Sequence, residues 1–215
     1  FSLLLCLPMY WTEFLTIAIA HLFAVASPGP DFAVVMRQSV TAGTRAGIWT
    51  SLGVGAAILL HVAYCLFGVA IILSQSPALF GGVKIVAAIY LFYIGVQALR
   101  KSFSHEAIVN EGNEEISITP RRAFVLGFLT NGLNPKATLF FLALFTVVID
   151  INTPVQIQLL YGMYLALATF AWFTMLSLIL GHQSVRAFMA KSGAWFERIM
   201  GIILIFLAVQ IALVA

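Results

Sequence analysis

Two ionisable side chains stand in surroundings where charge is costly. Asp31 directly follows Ser27-Pro28-Gly29-Pro30, with apolar residues on both sides, and Lys136 directly follows Asn134-Pro135 in a second apolar run. Proline removes a backbone donor and clashes with the preceding turn, so each run contains a broken helix. In hydrocarbon, freed N–H and C=O groups cost several kcal/mol unless something satisfies them. A break with an acid or a base at its edge therefore faces protein or water. A carboxylate suits an ammonium, and an ammonium beside a helix N-terminus suits a carboxylate. Together Asp31 and Lys136 could hold a zwitterionic α-amino acid.

Local chemistry adds candidates. Pro30 and Pro135 are good first residues of a half-helix, and Asn134 is a good N-cap. Ser27, Asn131 and Asn134 are candidate ligands, each with a backbone-capping role as the alternative. Three other readings of the charges stay open. Asp31 could cap its own half-helix, Asp31 and Lys136 could form a purely structural ion pair, or Lys136 could snorkel to an interface. His21 and His61 lie in apolar segments and read as packed, hydrogen-bonded histidines, with proton relay the alternative. Trp172 lies deep enough to line a cavity, whereas Trp11, Trp49 and Trp195 read as interfacial aromatics.

The elements that position these residues must be membrane helices. Hydrophobic residues make up 62% of the chain and charged residues 9%, against about 25% charged in soluble domains. Mean hydropathy is +1.04, and several runs approach the ~20 apolar residues that cross a bilayer. The fold class is an all-α polytopic membrane protein. Six spans are expected, near residues 10–40, 46–73, 83–99, 123–149, 155–180 and 194–215. Polar turns fall at 74–82 and 150–154. Gly47, Gly53 and Gly55 suit close packing of the second span.

Three spans, a connector and three spans suggest two inverted repeats, about 9–100 and 121–215, joined by residues 101–120. The first span of each repeat is broken at proline, the best sequence pointer to a transporter's substrate site. Glu106, Glu111, Glu114 and Glu115 put half of the eight acids in the connector, which reads as a solvated link. Glu13 lies near the end of the first span, Asp150 in a turn and Glu197 at the start of the last span, so Asp31 is the one acid at depth. A helix climbing from Arg121 reaches roughly 22 Å at Lys136, where a charge costs at least about 2.5 kcal/mol. With the first turn cytoplasmic, nine of eleven bases lie on or near that side: Arg37, Arg45, Arg100, Lys101, Arg121, Arg122, Arg186, Lys191 and Arg198. Lys84 falls outside. The positive-inside rule then places both termini externally. The chain begins with Phe rather than Met, and residues 1–8 are expected to lie outside the functional unit.

Several classes are disfavoured. The net charge of +3 reflects bases at helix ends and implies no nucleic acid. Cys6 and Cys65 form no C-x-x-C and sit at neither break, against a thiol–disulfide carrier. A cation or metal exporter would need His, Asp or Cys clusters within the spans, and a single acid beside a lysine argues against it. No cofactor, metal or enzymatic chemistry is expected.

The motifs resemble a known family. Ser27-Pro28-Gly29-Pro30-Asp31-Phe32, followed by an Arg- and Gly-containing turn, is similar to the lysine exporter (LysE) family. So is Gly127-Phe128-Leu129-Thr130-Asn131-Gly132-Leu133-Asn134-Pro135-Lys136-Ala137. Ala171-Trp172-Phe173-Thr174 adds to the likeness, which is strongest to homoserine/threonine-resistance exporters and covers the chain from Met9 onward. It implies a bacterial inner-membrane exporter of small neutral amino acids, threonine or homoserine first, driven by proton exchange. Pro28, Gly29, Pro30, Asp31, Asn131, Asn134, Pro135 and Lys136 carry the family motifs. Asp31 would be the coupling acid, although relatives can carry Asn there. A cation, metal or other small-solute exporter of the same architecture is the alternative. The sequence is silent on oligomeric state.

Overall fold

A computed structural model describes residues 2–75, 77–103, 118–150, 152–179 and 183–214. The connector acids Glu106, Glu111, Glu114 and Glu115 lie outside the described residues, as do His105 and His182 and the side chains of Cys6, Lys84, Lys101, Arg186, Lys191 and Glu197. Eight α-helices are described: α1 (Ser2–Ala26), α2 (Pro30–Thr41), α3 (Thr44–Gln75), α4 (Pro77–Phe103), α5 (Pro120–Gly132), α6 (Pro135–Ala143), α7 (Val155–Ile179) and α8 (Gln183–Val214). A five-residue π-helical turn, Leu144–Val148, extends α6. The described residues contain no strand.

Proline opens the half-helices as the sequence predicts. Pro30 and Pro135 occupy the first turn of α2 and α6, where a missing N–H costs nothing. Gly29 precedes α2 in extended conformation, and α1 and α2 meet at a bend of 53°. Asn134 caps α6 through a 3.0 Å bond from the Lys136 amide to its Oδ1. Some boundaries differ from the expected ones. Helix continues through most of the polar turn expected at 74–82, with α3 ending at Gln75 and α4 opening at Pro77. Pro77 opens a helix more readily than it extends a loop. The last helix begins at Gln183, ahead of its apolar run.

Among the described residues, Thr44–Gly68 of α3 and Val155–Ile179 are each long and apolar enough to cross a bilayer, and the bent α1–α2 pair makes a third such unit. Ala88–Arg100, Pro135–Thr146 and Arg198–Gln210 are shorter apolar helices. The side chains point as a bilayer requires. On α1, Trp11, Leu15, Ile19 and Leu22 form an exposed stripe at helical spacing, while Glu13, Ile17, Ala20 and His21 are buried. Trp195 is likewise exposed.

Glycine lets the central helices touch backbone to backbone. Helix α3 packs along both α5 and α7, and α4 pairs with α8. A Cβ on Gly53 would collide with the Phe124 carbonyl of α5, and one on Gly127 with the Thr50 carbonyl of α3. The expectation that glycines of the second span serve packing is met at Gly53. The main core gathers Ile17, Ile58, Leu91, Phe140, Leu165 and Met200, from six helices. A buried carboxylate closes one end. Glu13 accepts bonds from the Asp150 amide (2.9 Å), the Thr153 hydroxyl (2.9 Å) and the Tyr161 hydroxyl (3.1 Å), stapling α1 to the turn before α7.

Gly127→Leu should force α3 and α5 apart, costing about 3 kcal/mol and lowering the melting temperature of detergent-purified protein by about 10 °C. Gly68, whose Cβ would meet nothing within 4 Å, is the control. Gly68→Ala should leave the melting temperature unchanged or slightly raised.

Candidate functional site

The two breaks meet. Asp31, in the first turn of α2, turns its side chain away from its own helix end and toward the second break. Its Oδ2 accepts from Asn131 Nδ2 at 3.0 Å and from Asn134 Nδ2 at 3.3 Å. From the other side, Lys136 Nζ donates to Ser27 Oγ at 3.1 Å. A Cβ on Gly29 would lie 3.9 Å from that Nζ, so the lysine reaches across to the first break rather than out to an interface. Residues a hundred or more positions apart thus exchange three side-chain bonds across the gap.

These bonds follow from what each break leaves undone. The last carbonyls of a helix and the first amides of the next lack intrahelical partners. At the second break, the Asn134 amide donates to the Asn131 carbonyl at 2.9 Å, and the Asn134 side chain caps α6 with Oδ1 while giving Nδ2 to Asp31. Asn134 is therefore the cap that the sequence offered as one of its two roles, and it is also a cross-link to Asp31. Pro135 has no amide and that of Lys136 is capped, which leaves the amide of Ala137 as the first-turn donor nearest the gap.

The breaks border a pocket lined from α1, α2, α3, α5, α6, α7 and α8. Its polar wall is Ser27, Asp31, Asn131, Asn134 and Lys136, and Gly29 and Pro30 also line it. Pro28 and Pro135, the remaining expected helix-break residues, flank those positions in the chain. Across the pocket stand Ile58, Phe140, Phe141, Phe173 and Met200. One polar atom is left over. Asp31 Oδ1 is buried and has no hydrogen-bond partner, a costly state for a carboxylate oxygen. Lys136 acts on this carboxylate electrostatically. The arrangement can hold a positive group at Asp31 and a negative one at Lys136, with an apolar wall for whatever lies between.

His21 and Thr169 also line the pocket and bond to each other at 2.8 Å, joining α1 to α7. His21 reads in the sequence as a packed, hydrogen-bonded histidine, and it is one. Thr169, Phe173 and Met200 carry no local signal of a site, since only the packing of α7 and α8 brings them there. Trp172 lines a second cavity between α1 and α7, and its buried indole N–H has no partner.

The sequence profile of the LysE type translocator family matches residues 22–214, which include both breaks. The chain belongs to the LysE family. A member of that family is a membrane translocator and not an enzyme. Curated relatives match over most of their own length. The threonine efflux protein of Escherichia coli K12 is 26% identical over 190 residues, covering 87% of this chain and 91% of the relative. The leucine efflux protein of Klebsiella pneumoniae is 28% identical over 209 residues, covering 93% and 94%. A Bacillus subtilis membrane protein of uncharacterised function is 28% identical over 188 residues, covering 84% and 89%. No solved structure matches the chain.

Asn134 separates capping from site chemistry. Asn134→Ala should lose about 1 kcal/mol of helix capping and lower the melting temperature by roughly 3 °C. Asn134→Ser keeps a capping oxygen but cannot donate to Asp31 as the amide does. It should recover the melting temperature while leaving transport of radiolabelled substrate impaired.

Proposed function

We propose that this LysE-family chain is a secondary transporter that exports small neutral amino acids from the cytoplasm, threonine or homoserine first, by exchange with protons. One observation carries the reading. A carboxylate and an ammonium face one pocket from two broken helices, and the carboxylate keeps one buried oxygen, Oδ1, without a donor. A zwitterion has the complementary pair of charges. The substrate ammonium would complete Asp31 Oδ1, and the substrate carboxylate would meet Lys136 and the first turn of α6. Ser27 would trade its bond with Lys136 for one with substrate or with the released lysine. Asn131 and Asn134 would hold Asp31 in place throughout.

Proton coupling follows from the same acid. An ionised Asp31 attracts the ammonium, and a protonated one attracts it far less. Protonation from the outer side would release substrate, and deprotonation toward the cytoplasm would restore the site. We read the chain as six spans in a bacterial inner membrane, formed by α1–α2, α3, α4, α5–α6, α7 and α8, with both termini external. The two halves would be inverted repeats, which sets the half-helices head to head at the pocket. The relatives that export threonine and leucine support an amino-acid cargo.

The apolar wall favours a second reading of the cargo. Ile58, Phe140, Phe141, Phe173 and Met200 offer a side chain no hydrogen bonds beyond those at the polar wall, which suits an aliphatic amino acid of the leucine kind. Counterflow in proteoliposomes across the twenty amino acids decides between them. Threonine and homoserine lead on the first reading, and leucine and its isosteres on the second. Exchange of none of them would overturn both.

Asp31→Asn should abolish pH-driven efflux while leaving the protein folded, because the amide keeps the shape and loses the charge. Full pH-coupled efflux from the variant would sink the coupling role. Lys136→Met should raise KM for amino acid at least tenfold, as expected when an ion pair of about 1.5–3 kcal/mol is lost, and should have little effect on an amino-acid amide lacking the carboxylate.

A further inference from the structure

His61 lies behind the site, on α3, and touches no position assigned to substrate. Its ring is fully buried. It stacks on Phe141 with centroids 5.3 Å apart and planes 7° from parallel. Nε2 lies 3.1 Å from the main-chain oxygen of Asn131 and 3.1 Å from Asn131 Oδ1. Nδ1 meets the Tyr64 hydroxyl. A main-chain carbonyl only accepts, so the nitrogen facing it must carry the hydrogen. Nδ1 of the neutral ring is then an acceptor, and the Tyr64 hydroxyl donates to it.

This proton arrangement determines how Asn131 stands. With a hydrogen on His61 Nε2, the amide must present Oδ1 to His61, and Nδ2 is turned toward Asp31. The reversed amide would set N–H against N–H on one side and oxygen against carboxylate on the other. Two bonds would become two repulsions in a low-dielectric site. His61 also adds a further bond to the Asn131 carbonyl, which already accepts from the Asn134 amide.

We propose that His61, held by Tyr64, is a positioning residue of the transport site. It locks the Asn131 amide so that Asn131 donates to Asp31 Oδ2 and leaves Oδ1 aimed at a cationic ligand. The inference rests on the reading of Asp31 as the ammonium ligand. Its consequence is that a residue in contact with no substrate atom sets substrate affinity, through Asn131 alone.

The test is counterflow of L-threonine and L-leucine by purified protein in proteoliposomes, with size-exclusion profile and melting temperature recorded for every variant. His61→Leu should raise KM about tenfold, the loss of one hydrogen bond to a charged group. His61→Gln, whose amide N–H can reach the same acceptors, should stay within about threefold of the parent. A merely structural histidine predicts equal losses in both variants and is the first overturning result. Coupling is the second readout. Asn131→Ala should raise KM, and adding His61→Leu to it should change nothing further; losses that multiply instead would overturn the proposal. Should His61→Leu fail to accumulate, Tyr64→Phe still reports, because it removes the hydroxyl that holds the ring at Nδ1. Its KM should rise about threefold, and an unchanged KM overturns the lock. Unchanged transport by Asp31→Asn sinks the Asp31 reading itself, whereas a sensitive Asp31 with an insensitive His61 sinks only the positioning role.

Discussion

The two breaks of this chain are tied together by side-chain hydrogen bonds, while the backbone groups freed at the second break find partners within that break itself. Asp31 stands at one break and takes its hydrogen bonds from Asn131 and Asn134 at the other. Lys136 stands at the second and donates to Ser27 at the first. Neither charge would be tolerable without the opposite break. Buried polar groups left unsatisfied cost several kcal/mol each, and this exchange satisfies side chains of both breaks at the edge of the pocket.

The rest of the molecule holds the two breaks at that separation. Helix α3 touches α5 through Gly53 and Gly127 and packs along α7, which fixes the end of α5 against the core. Glu13 ties α1 to the turn before α7, and His21, about two turns further along α1, bonds Thr169 at the pocket. These polar links between α1 and α7 flank an apolar stripe that faces outward. The same helix thus presents hydrophobic surface to lipid and hydrogen-bonding groups to protein, the reverse of a helix in water.

Within the pocket, satisfaction is uneven. Asp31 Oδ2 has two donors and Oδ1 has none. That asymmetry is what a carboxylate with one oxygen kept for a further donor would show. It also explains why Asn134 combines two jobs. An amide side chain has an acceptor for the α6 amide and a separate donor for Asp31, whereas an ionised aspartate cap has no donor and a serine cap must accept and donate through one oxygen.

Much of this was legible in the residues alone. Composition and apolar run length determined an all-helical membrane protein, because so few charges cannot cover a water-facing surface. Proline chemistry located both breaks and the Asn134 cap, because proline's effect on a helix is local. The charge census picked out Asp31 and Lys136, because a buried charge is expensive wherever the chain goes. The role of His61 was not legible, since one histidine in an apolar run reads only as packed. Nor were Thr169, Phe173 and Met200, which come from α7 and α8 and reach the pocket only through packing. Spacing along a chain records local backbone preference and the cost of charge. Which faces of α1, α3, α6, α7 and α8 meet, and so which oxygen of Asp31 is left without a donor, was decided by close packing between distant helices, and that exists only once the chain is folded.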